Sequence, residues 1–480
     1  MSESQPKAQF IRPKNLMVTI SGIRGVPGRN LTPPTITRYV WAYAKVIDRP
    51  NKKIIVGRDS RITGPYVKDL VVSTLIAAGC EVIDCDIIST PGVQIQVQQH
   101  NAGGGIVITS SHNPKNMNGL KFIGSDGLFL DPQLCTRLYD MAENHLDEVV
   151  NDEDNVMGTY TRQPAADITH RTLINELPFI DRDMIRAKNF KVAIDTANGA
   201  GGPIYKMMLH NFNCEVKSIN FEPNGEFAHN PEPTPAHLTD LCELVKAEGC
   251  DVGFAADPDV DRCVVVDETG VCVMEEYTLA LALKLMITNG YDKPFVKNMS
   301  SSGITNVLCE KAGITVHESP VGEIQVAKKM EAVGSWFGGE GNGGVMARDL
   351  HIGRDAPLAL SMVLMLMTLE DKPLSSIIAE MPVANMDKQK VNVNDPTETM
   401  EKFEALVESG HFENCQVIGG DGIKLIFPEK SFWVHVRKSN TEPIVRVIGE
   451  IVSMPNDPVE ETQATLQREM KSFVELVSEL

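Results

Sequence analysis

The sequence predicts an α/β protein in which three similar mixed-sheet α/β domains and a C-terminal α+β domain surround one central cleft. The chain of 480 residues is too long for one hydrophobic core and should divide into several domains. Short β-rich runs alternate with amphipathic helical stretches, which is typical of mostly parallel sheets, and this alternation recurs three times. We expect the domains to span residues 1–162, 163–270, 271–383 and 384–480.

Each of the three repeats contains a third strand that ends in an unusual loop. These loops are TSSHNP from Thr109, DPDVDR from Asp257 and GGEGNGG from Gly338. Equivalent positions are expected when one domain design is repeated along a chain. Because ligands collect at the carboxyl ends of the strands in open α/β sheets, we expect the three loops to share one cleft.

The chain changes character after Pro382. A helical stretch from Thr397 to Gly410 precedes a hairpin-like GGDGIKLIF segment, and SFWVHVRKSN from Ser431 is predicted as a strand. A final helix is expected from Asp457 onward. These elements predict a smaller α+β domain whose design differs from that of the three repeats.

The net charge of −19 argues against nucleic acid as a partner, because the surface would repel a polyanion. The ten cysteines have no metal-binding spacing, and they are expected to be core residues in a reducing compartment. No stretch has the length of a signal peptide core or a membrane span. We therefore expect a cytoplasmic monomer or homodimer that has no membrane partner and that binds any anionic substrate in a local cationic pocket.

Three carboxylates stand at alternate positions after the third strand of the second repeat: Asp257, Asp259 and Asp261. Such a loop is costly unless a cation neutralises it, and oxygen ligands at this spacing favour Mg²⁺. A solvated acidic turn and an EF-hand are the alternatives. The EF-hand needs glycine where Arg262 stands, and a strand follows the loop instead of a helix. We therefore expect a catalytic metal site.

Two further loops carry polar groups suited to a sugar phosphate. GGEGNGG leaves only the side chains of Glu340 and Asn342, which could bind vicinal hydroxyls, although a glycine-rich turn is the simpler alternative. RKSNTEP from Arg437 combines a guanidinium, hydroxyls, an amide and backbone N–H groups, an inventory suited to phosphate, with a capped turn as the alternative. Arg446 in the next strand adds a further cation.

The serine loop places Ser110, Ser111 and His112 side by side. Such a pair suggests a hydrolase, but a catalytic serine and histidine are normally brought together by the fold, and the G-x-S-x-G elbow is missing. Arg24 lies in a glycine-rich turn, and Lys121 follows the serine loop in NGLKF. On a protein of this charge, cations near the unusual loops are what an anionic substrate would require.

The four loops, in this order, resemble the α-D-phosphohexomutase family, and SGIRG, VGRDSR, STPG, NGLKF, DTANGAGG and SPVGE extend the resemblance over nearly all of the chain. The combination of GNGG with GRDA is similar to the archaeal-type phosphoglucosamine mutase branch. The resemblance implies four domains in a heart shape around one cleft. It also implies that Ser111 carries a phosphoryl group and that Ser110 is a bystander.

The activity implied by this resemblance is a Mg²⁺-dependent interconversion of hexose 6-phosphate and hexose 1-phosphate through a hexose 1,6-bisphosphate. Phospho-Ser111 and the three aspartates would hold the metal, and Lys121 and Arg24 would transfer protons and stabilise charge. His112 would either donate hydrogen bonds to the phosphoserine or fix its loop. The implied substrate-binding residues are Arg262, Glu340, Asn342, Arg437, Ser439, Asn440, Thr441 and Arg446.

The chain also departs from the commonest bacterial pattern of the family. Asn342 and Gly344 stand where serine and histidine are common, and HIGRDA from His351 is a candidate to compensate. Glucosamine phosphate is the favoured sugar, with mannose or glucose phosphate as near alternatives. A sugar phosphatase and a non-catalytic sugar-phosphate sensor on the same scaffold remain as alternatives from other functional classes.

Overall fold

Four sheets follow one another along the chain in a computed structural model that describes residues 10–47, 51–145, 156–439 and 444–480. Helices accompany each sheet, so the predicted α/β repeats and C-terminal α+β domain are confirmed. Within these ranges, no helix is both long and apolar enough to cross a membrane.

The first domain contains a seven-stranded mixed sheet. Its strands are β1 (Met17–Thr19), β2 (Gly22–Gly25), β3 (Lys53–Arg58), β4 (Glu81–Ile87), β5 (Gly104–Ile108), β6 (Asn118–Ile123) and β7 (Tyr160–Arg162). They are ordered β1-β2-β6-β5-β3-β4-β7, and β3 is parallel to both β4 and β5. The helices are α1 (Pro33–Val46), α2 (Gly64–Ala77), α3 (Thr90–Gln99) and α4 (Pro132–Asp140), and α4 continues into a π-helical turn, Met141–His145. Each of these four α-helices has proline in its first turn, where the missing N–H is not needed.

The second domain contains a four-stranded sheet in the order β11-β10-β8-β9, whose strands are β8 (Lys191–Asp195), β9 (Glu215–Ile219), β10 (Val252–Ala256) and β11 (Cys263–Asp267). Its helices are α5 (Asp167–Asn175), α6 (Arg182–Lys188), α7 (Gly201–Asn211) and α8 (Thr239–Glu248), with a 3₁₀ turn at Pro235–His237. Only the β10–β11 pair is antiparallel.

The third domain repeats this plan in the order β13-β12-β14-β15, whose strands are β12 (Phe295–Asn298), β13 (Val316–Ser319), β14 (Phe337–Glu340) and β15 (Gly344–Ala347). Its helices are α9 (Glu276–Thr288), α10 (Ile304–Ala312), α11 (Glu323–Val333), α12 (Ala356–Glu370) and α13 (Leu374–Ala379). In all three domains the strand before the unusual loop pairs antiparallel with the strand after it. This shared hairpin confirms that the three loops occupy one equivalent position.

The fourth domain is an antiparallel sheet in the order β16-β20-β19-β18-β17. Its strands are β16 (Val383–Asn392), β17 (Gln416–Gly419), β18 (Ile423–Phe427), β19 (Phe432–Lys438) and β20 (Ile444–Ser453). Its helices are α14 (Pro396–Glu408) and α15 (Val459–Glu479), with a 3₁₀ turn at Pro428–Lys430. The amphipathic α15 buries the face carrying Leu466, Met470, Phe473 and Val477.

The hydrophobic cores show which domains pack against each other. Helix α12 (APLALSMVLMLMTLE) is apolar on all sides and buried almost throughout, because it packs between the second and third domains. These two domains therefore share one core. A smaller cluster joins strands of the first domain to the third. The fourth domain has a core of its own, although Ala384 on β16 belongs to the core of the second and third domains.

Candidate active site

The serine loop follows β5 and carries Ser111 in an unusual backbone conformation. Ser111 has a φ of 50°, in the left-handed region that residues other than glycine rarely adopt. Its backbone N–H donates to Oγ1 of Thr109 at 2.8 Å. Its hydroxyl donates to Oδ2 of Asp257 at 3.0 Å and lies 3.3 Å from Nδ1 of His112. The loop thus directs the hydroxyl at the acidic loop of the next domain.

Arg61, in the VGRDSR segment, holds this loop in place. The side chain is fully buried, and its Nε donates to Asp59 Oδ2 at 3.0 Å. In the sequence, Arg61 is the second arginine of VGRDSR and lies in the loop that follows the buried strand β3, which is the feature that could have indicated it. The guanidinium also donates to the carbonyl oxygens of Ser111 (2.5 Å), Asn113 (2.7 Å), Pro114 (2.7 Å) and Met117 (2.9 Å).

The acidic loop joins β10 to β11 and buries all three of its carboxylates. One oxygen from each of Asp257, Asp259 and Asp261 lies within 4.8 Å of the others. Val260 between them has a φ of 66°, which is strained for a β-branched residue and keeps the carboxylates on one side. Oδ1 of Asp259 and Oδ1 of Asp261 have no hydrogen-bond partner among the described residues. The donor set therefore fits a hard divalent cation.

Electrostatics make this arrangement costly without a cation. Burial and the charges of Asp261 and Asp259 raise the pKa of Asp257 well above its usual range. Lys121 on β6 supplies part of the compensation, since its Nζ lies 2.6 Å from Asp259 Oδ2 and 3.0 Å from Asp261 Oδ2. Arg354 Nη2 also lies 2.6 Å from Asp261 Oδ2, but no ion pair among the described residues reaches Asp257, so this carboxylate is left for a metal ion to neutralise.

Three more of the predicted residues surround the acidic loop. Arg24 on β2 interacts electrostatically with Asp259, and burial lowers the pKa of its guanidinium. Arg262 Nε lies 3.8 Å from Asp261 Oδ1. Burial and the positive charges of Arg262 and Arg24 lower the pKa of His112 well below its usual range, so His112 is neutral. The structure therefore brings Arg24, His112 and Arg262 to one place.

The sugar-type loop places Glu340 at the end of β14 and Asn342 at its tip. Glu340 is buried, and its Oε1 accepts hydrogen bonds from Asn298 Nδ2 at 2.7 Å and Gly322 N at 2.9 Å. Asn342 Oδ1 is buried without a partner among the described residues. Arg354 Nη1 donates to Oε2 of Glu340 at 3.0 Å, a contact that connects this loop to the HIGRDA segment.

The phosphate-type loop begins at the end of β19 in the fourth domain. Arg437 and Arg446 stand directly opposite each other on β19 and β20, and like charges at such positions repel unless an anion lies nearby. Arg437 and Ser439 are both buried, and Nε of Arg437 lacks a hydrogen-bond partner among the described residues. Nη1 of Arg437 lies 3.8 Å from Oδ2 of Asp421, which offsets part of the repulsion between the two arginines. Asn440 and Thr441 lie outside the described residues.

Comparison with known proteins identifies this arrangement. Three models of phosphoglucomutase/phosphomannomutase α/β/α domains match the chain: domain I at residues 16–148, domain II at 172–270 and domain III at 275–384. A phosphoglucomutase/phosphomannomutase of Thermococcus kodakarensis is 31% identical over 443 residues, which cover 90% of this chain and 94% of that protein. A phosphoglucosamine/phosphogalactosamine mutase of Sulfurisphaera tokodaii is 30% identical over 466 residues, 95% of this chain and 98% of the other.

The fold is shared with a solved structure. The crystal structure of a putative phosphomannomutase from Thermus thermophilus superposes with a TM-score of 0.79 at 22% identity, covering 96% of this chain and all of the other. The buried acidic trio and the serine beside it lie between the first two matched domains. The chain therefore belongs to the phosphoglucomutase/phosphomannomutase family and is a phosphohexomutase, an isomerase of carbohydrate metabolism.

Proposed function

We propose that the protein interconverts hexose 6-phosphate and hexose 1-phosphate by way of phospho-Ser111 and a hexose 1,6-bisphosphate. The observation that carries the proposal is the position of the Ser111 hydroxyl, 3.0 Å from Asp257 Oδ2 at the edge of the acidic trio. A phosphoryl group on this oxygen would lie beside the one place where the described residues could hold a divalent cation. This is the arrangement that phosphoryl transfer requires, because the reaction depends on positioning and charge neutralisation.

Each transfer forms one bond to phosphorus, breaks one and moves one proton. The free hydroxyl oxygen of the sugar attacks the phosphorus, the bond between phosphorus and Ser111 Oγ breaks, and the proton lost by the sugar hydroxyl is matched by one gained at Oγ. The bisphosphate then turns, and its other phosphate returns to Ser111 in the reverse step. We assign Lys121 and Arg24 to proton transfer and charge stabilisation, because both lie against the acidic loop.

Asp257, Asp259 and Asp261 would hold Mg²⁺ together with an oxygen of phospho-Ser111. The unpartnered Oδ1 atoms of Asp259 and Asp261 support this assignment, since buried carboxylate oxygens without donors are rare. Bound Mg²⁺ would neutralise charge on the transferred phosphoryl group. Arg262 and His112 line the same side of the site, where His112 fixes the loop or donates one hydrogen bond.

The substrate would be held from the other side of the cleft. Glu340 and Asn342 would bind sugar hydroxyls, and the unpartnered Oδ1 of Asn342 supports this role. The opposed pair Arg437 and Arg446 would bind the phosphate that does not react, because an anion there offsets the repulsion between them. Arg262 would add a further contact. Ser439, Asn440 and Thr441 complete the proposed phosphate site.

Glucosamine phosphate is the sugar we propose as the preferred substrate. The support is the resemblance of GNGG and GRDA to the archaeal-type branch, together with relatives named phosphoglucosamine mutase. Coupled assays on the 1-phosphates of glucosamine, glucose and mannose test this choice. Equal activity on all three would contradict the preference for glucosamine, and release of inorganic phosphate faster than isomer formation would indicate a phosphatase.

Intact mass spectrometry tests the phosphoserine. After incubation with a hexose 1,6-bisphosphate, the wild-type protein should gain the mass of one phosphate, and Ser111→Ala should gain none. Ser110→Ala is the matched control, because Ser110 is also buried and donates only to Asn113 Oδ1, at 3.3 Å. Phosphate that persists in Ser111→Ala and disappears in Ser110→Ala would contradict the assignment.

A further inference from the structure

Arg354 binds three carboxylates that come from three different parts of the cleft. Its Nη2 donates to Asp261 Oδ2 of the acidic loop at 2.6 Å. Its Nη1 donates to Glu340 Oε2 of the sugar-type loop at 3.0 Å, and its Nε donates to Glu323 Oε2 on α11 at 3.1 Å. Arg354 is buried, so these pairs are shielded from solvent and the contacts are stronger than at a surface.

The guanidinium therefore has little capacity left for a ligand. It offers five N–H donors in a rigid plane, and each of its three nitrogens already faces a carboxylate of this chain. Two Nη hydrogens remain, but the guanidinium cannot turn toward a ligand without breaking one of the three buried pairs. The contacts of Arg354 are thus mainly those of a residue that orders other side chains.

Gly344 makes this arrangement possible. A β-carbon at position 344 would overlap Cδ of Arg354 and come within 3.0 Å of Asn342 Oδ1. Any side chain at this position would push the arginine away from the two loops or displace the amide of Asn342. The glycine at the end of the sugar-type loop and the arginine ten residues later therefore form one structural unit.

We propose that Arg354 is a positioning residue for sugar selectivity, which sets the carboxylate of Glu340 at a fixed place relative to Asp261. The inference rests on the proposed function of the cleft. Glu340 Oε1 is already held by Asn298 and Gly322, so Arg354 completes the fixation of this carboxylate from its other side. A carboxylate accepts about four hydrogen bonds, and three positions are used, so one direction remains for a sugar hydroxyl.

Selectivity between epimers follows from the single hydrogen-bonding position that remains free on Glu340. Sugars that differ in the orientation of one hydroxyl differ in whether they can donate along it, and they are distinguished only while the carboxylate is held still. Loosening Glu340 should therefore change the ratio between epimers as well as the absolute affinity. A general loss of stability would instead lower binding and turnover of all sugars by the same factor.

Arg354→Lys is the principal variant, because it retains the charge and loses the planar fork. Arg348→Lys, an exposed arginine in the same segment, is the matched control. Gly344→Ala should displace Arg354 without altering it. Dissociation constants by calorimetry and values of kcat/KM are measured for glucose 1-phosphate, its C2 epimer mannose 1-phosphate and its C4 epimer galactose 1-phosphate. Thermal unfolding shows whether each variant is folded.

For Arg354→Lys and Gly344→Ala we expect at least one ratio between epimers to change by about tenfold, in binding and in turnover. The double variant should show little further change, because both substitutions act on the same contact. Ratios that stay constant while all values fall together would overturn the inference and leave the mutase proposal intact. Ratios of binding that change in a protein without any turnover would support the role of Arg354 and contradict the proposed function.

Discussion

The hydroxyl of Ser111 donates a hydrogen bond to Oδ2 of Asp257 across 146 positions of sequence. The two residues belong to different domains, and each follows the third strand of its repeat. Neither loop would form a phosphoryl-transfer site alone, because the serine lacks a cation and the carboxylates lack a reacting group. The geometry therefore makes activity dependent on how the first two domains dock.

Asp257→Asn should lower activity by about 100-fold or more, since it removes a charge from the proposed metal site and weakens its hold on Mg²⁺. We expect added MgCl₂ to raise the melting temperature of the wild-type protein and to leave that of the variant nearly unchanged. EDTA should stop turnover by the wild-type protein, and Mg²⁺ should restore it.

Asp292→Asn is the control for this prediction, because that aspartate is exposed and pairs only with Lys293, at 3.3 Å, in the contacts described. An unchanged response of Asp257→Asn to Mg²⁺ would show that the acidic loop does not hold the ion.

Arg61→Lys should slow phosphoryl transfer by about tenfold to 100-fold and leave KM nearly unchanged. A lysine cannot reach the four carbonyl oxygens that the guanidinium contacts, so the serine loop should lose its fixed conformation. The readouts are kcat, KM and the rate at which a hexose 1,6-bisphosphate phosphorylates the protein.

Arg58→Lys, three positions earlier, provides a matched comparison, because Arg58 pairs with Asp86, outside the serine loop. If both variants lost kcat equally, the special role of Arg61 would be refuted.

The three unusual loops could be predicted from the sequence because their signal is local. In each repeat a short apolar run ends and a group of polar residues and glycines begins, as at Ala256 and Asp257. The structure places these residues after the third strand of three sheets with the same strand order. The common position of the loops follows from that order alone.

The buried arginines could not be predicted in this way. In a sequence, an arginine in a polar loop indicates solvated charge, and its burial depends on partners far along the chain. Arg61 contacts carbonyl oxygens 50 to 56 positions away, and Arg354 contacts Asp261 across 93 positions. The common core of the second and third domains was missed for a similar reason, because α12 has no polar face that would indicate where it packs.

Glu450→Gln should weaken the docking of the fourth domain on the third. The buried carboxylate of Glu450 accepts hydrogen bonds from the hydroxyl of Ser302, from Gly303 N at 2.7 Å and from Trp433 Nε1 at 2.7 Å. An amide nitrogen would oppose at least one of these donors, which costs about 1–3 kcal/mol. Tryptophan fluorescence during urea unfolding, in a protein whose Trp41 and Trp336 are replaced by phenylalanine, should show an earlier transition for the variant.

Glu469→Gln is the control, because Glu469 pairs with Lys430 at 2.9 Å within the fourth domain. A midpoint for Glu450→Gln that matched this control would show that the contact contributes nothing to docking.

His435 should make the same interface sensitive to acid. Its Nε2 donates to the carbonyl oxygen of Asp421 at 2.6 Å, so Nδ1 carries no proton and accepts from the hydroxyl of Ser300 at 2.9 Å. Burial lowers the pKa of His435 to about 3, and the charges of Arg437 and Lys424 act in the same direction. A proton on Nδ1 would require the Ser300 hydroxyl to turn from donor to acceptor and would add a third positive charge.

The direction of the pH dependence follows from the different pKa of His435 in the unfolded and the folded chain. Between pH 6.5 and about 3 the unfolded chain binds a proton at this histidine and the folded chain does not, so the free energy of unfolding falls as the pH falls. The loss amounts to about 1.4 kcal/mol per pH unit, or roughly 2 kcal/mol at pH 5. This loss of stability is absent above pH 6.5, where His435 is neutral in both the folded and the unfolded chain.

His435→Gln should remove this part of the pH dependence, because glutamine retains hydrogen-bonding groups and does not titrate. Urea unfolding at pH 7.5 and pH 5.0 should therefore show a smaller decrease for the variant than for the wild-type protein, and His210→Gln, at an exposed position on α7, should behave like the wild-type protein. Equal decreases in all three proteins would mean that the fourth domain is held at acid pH by contacts other than this histidine.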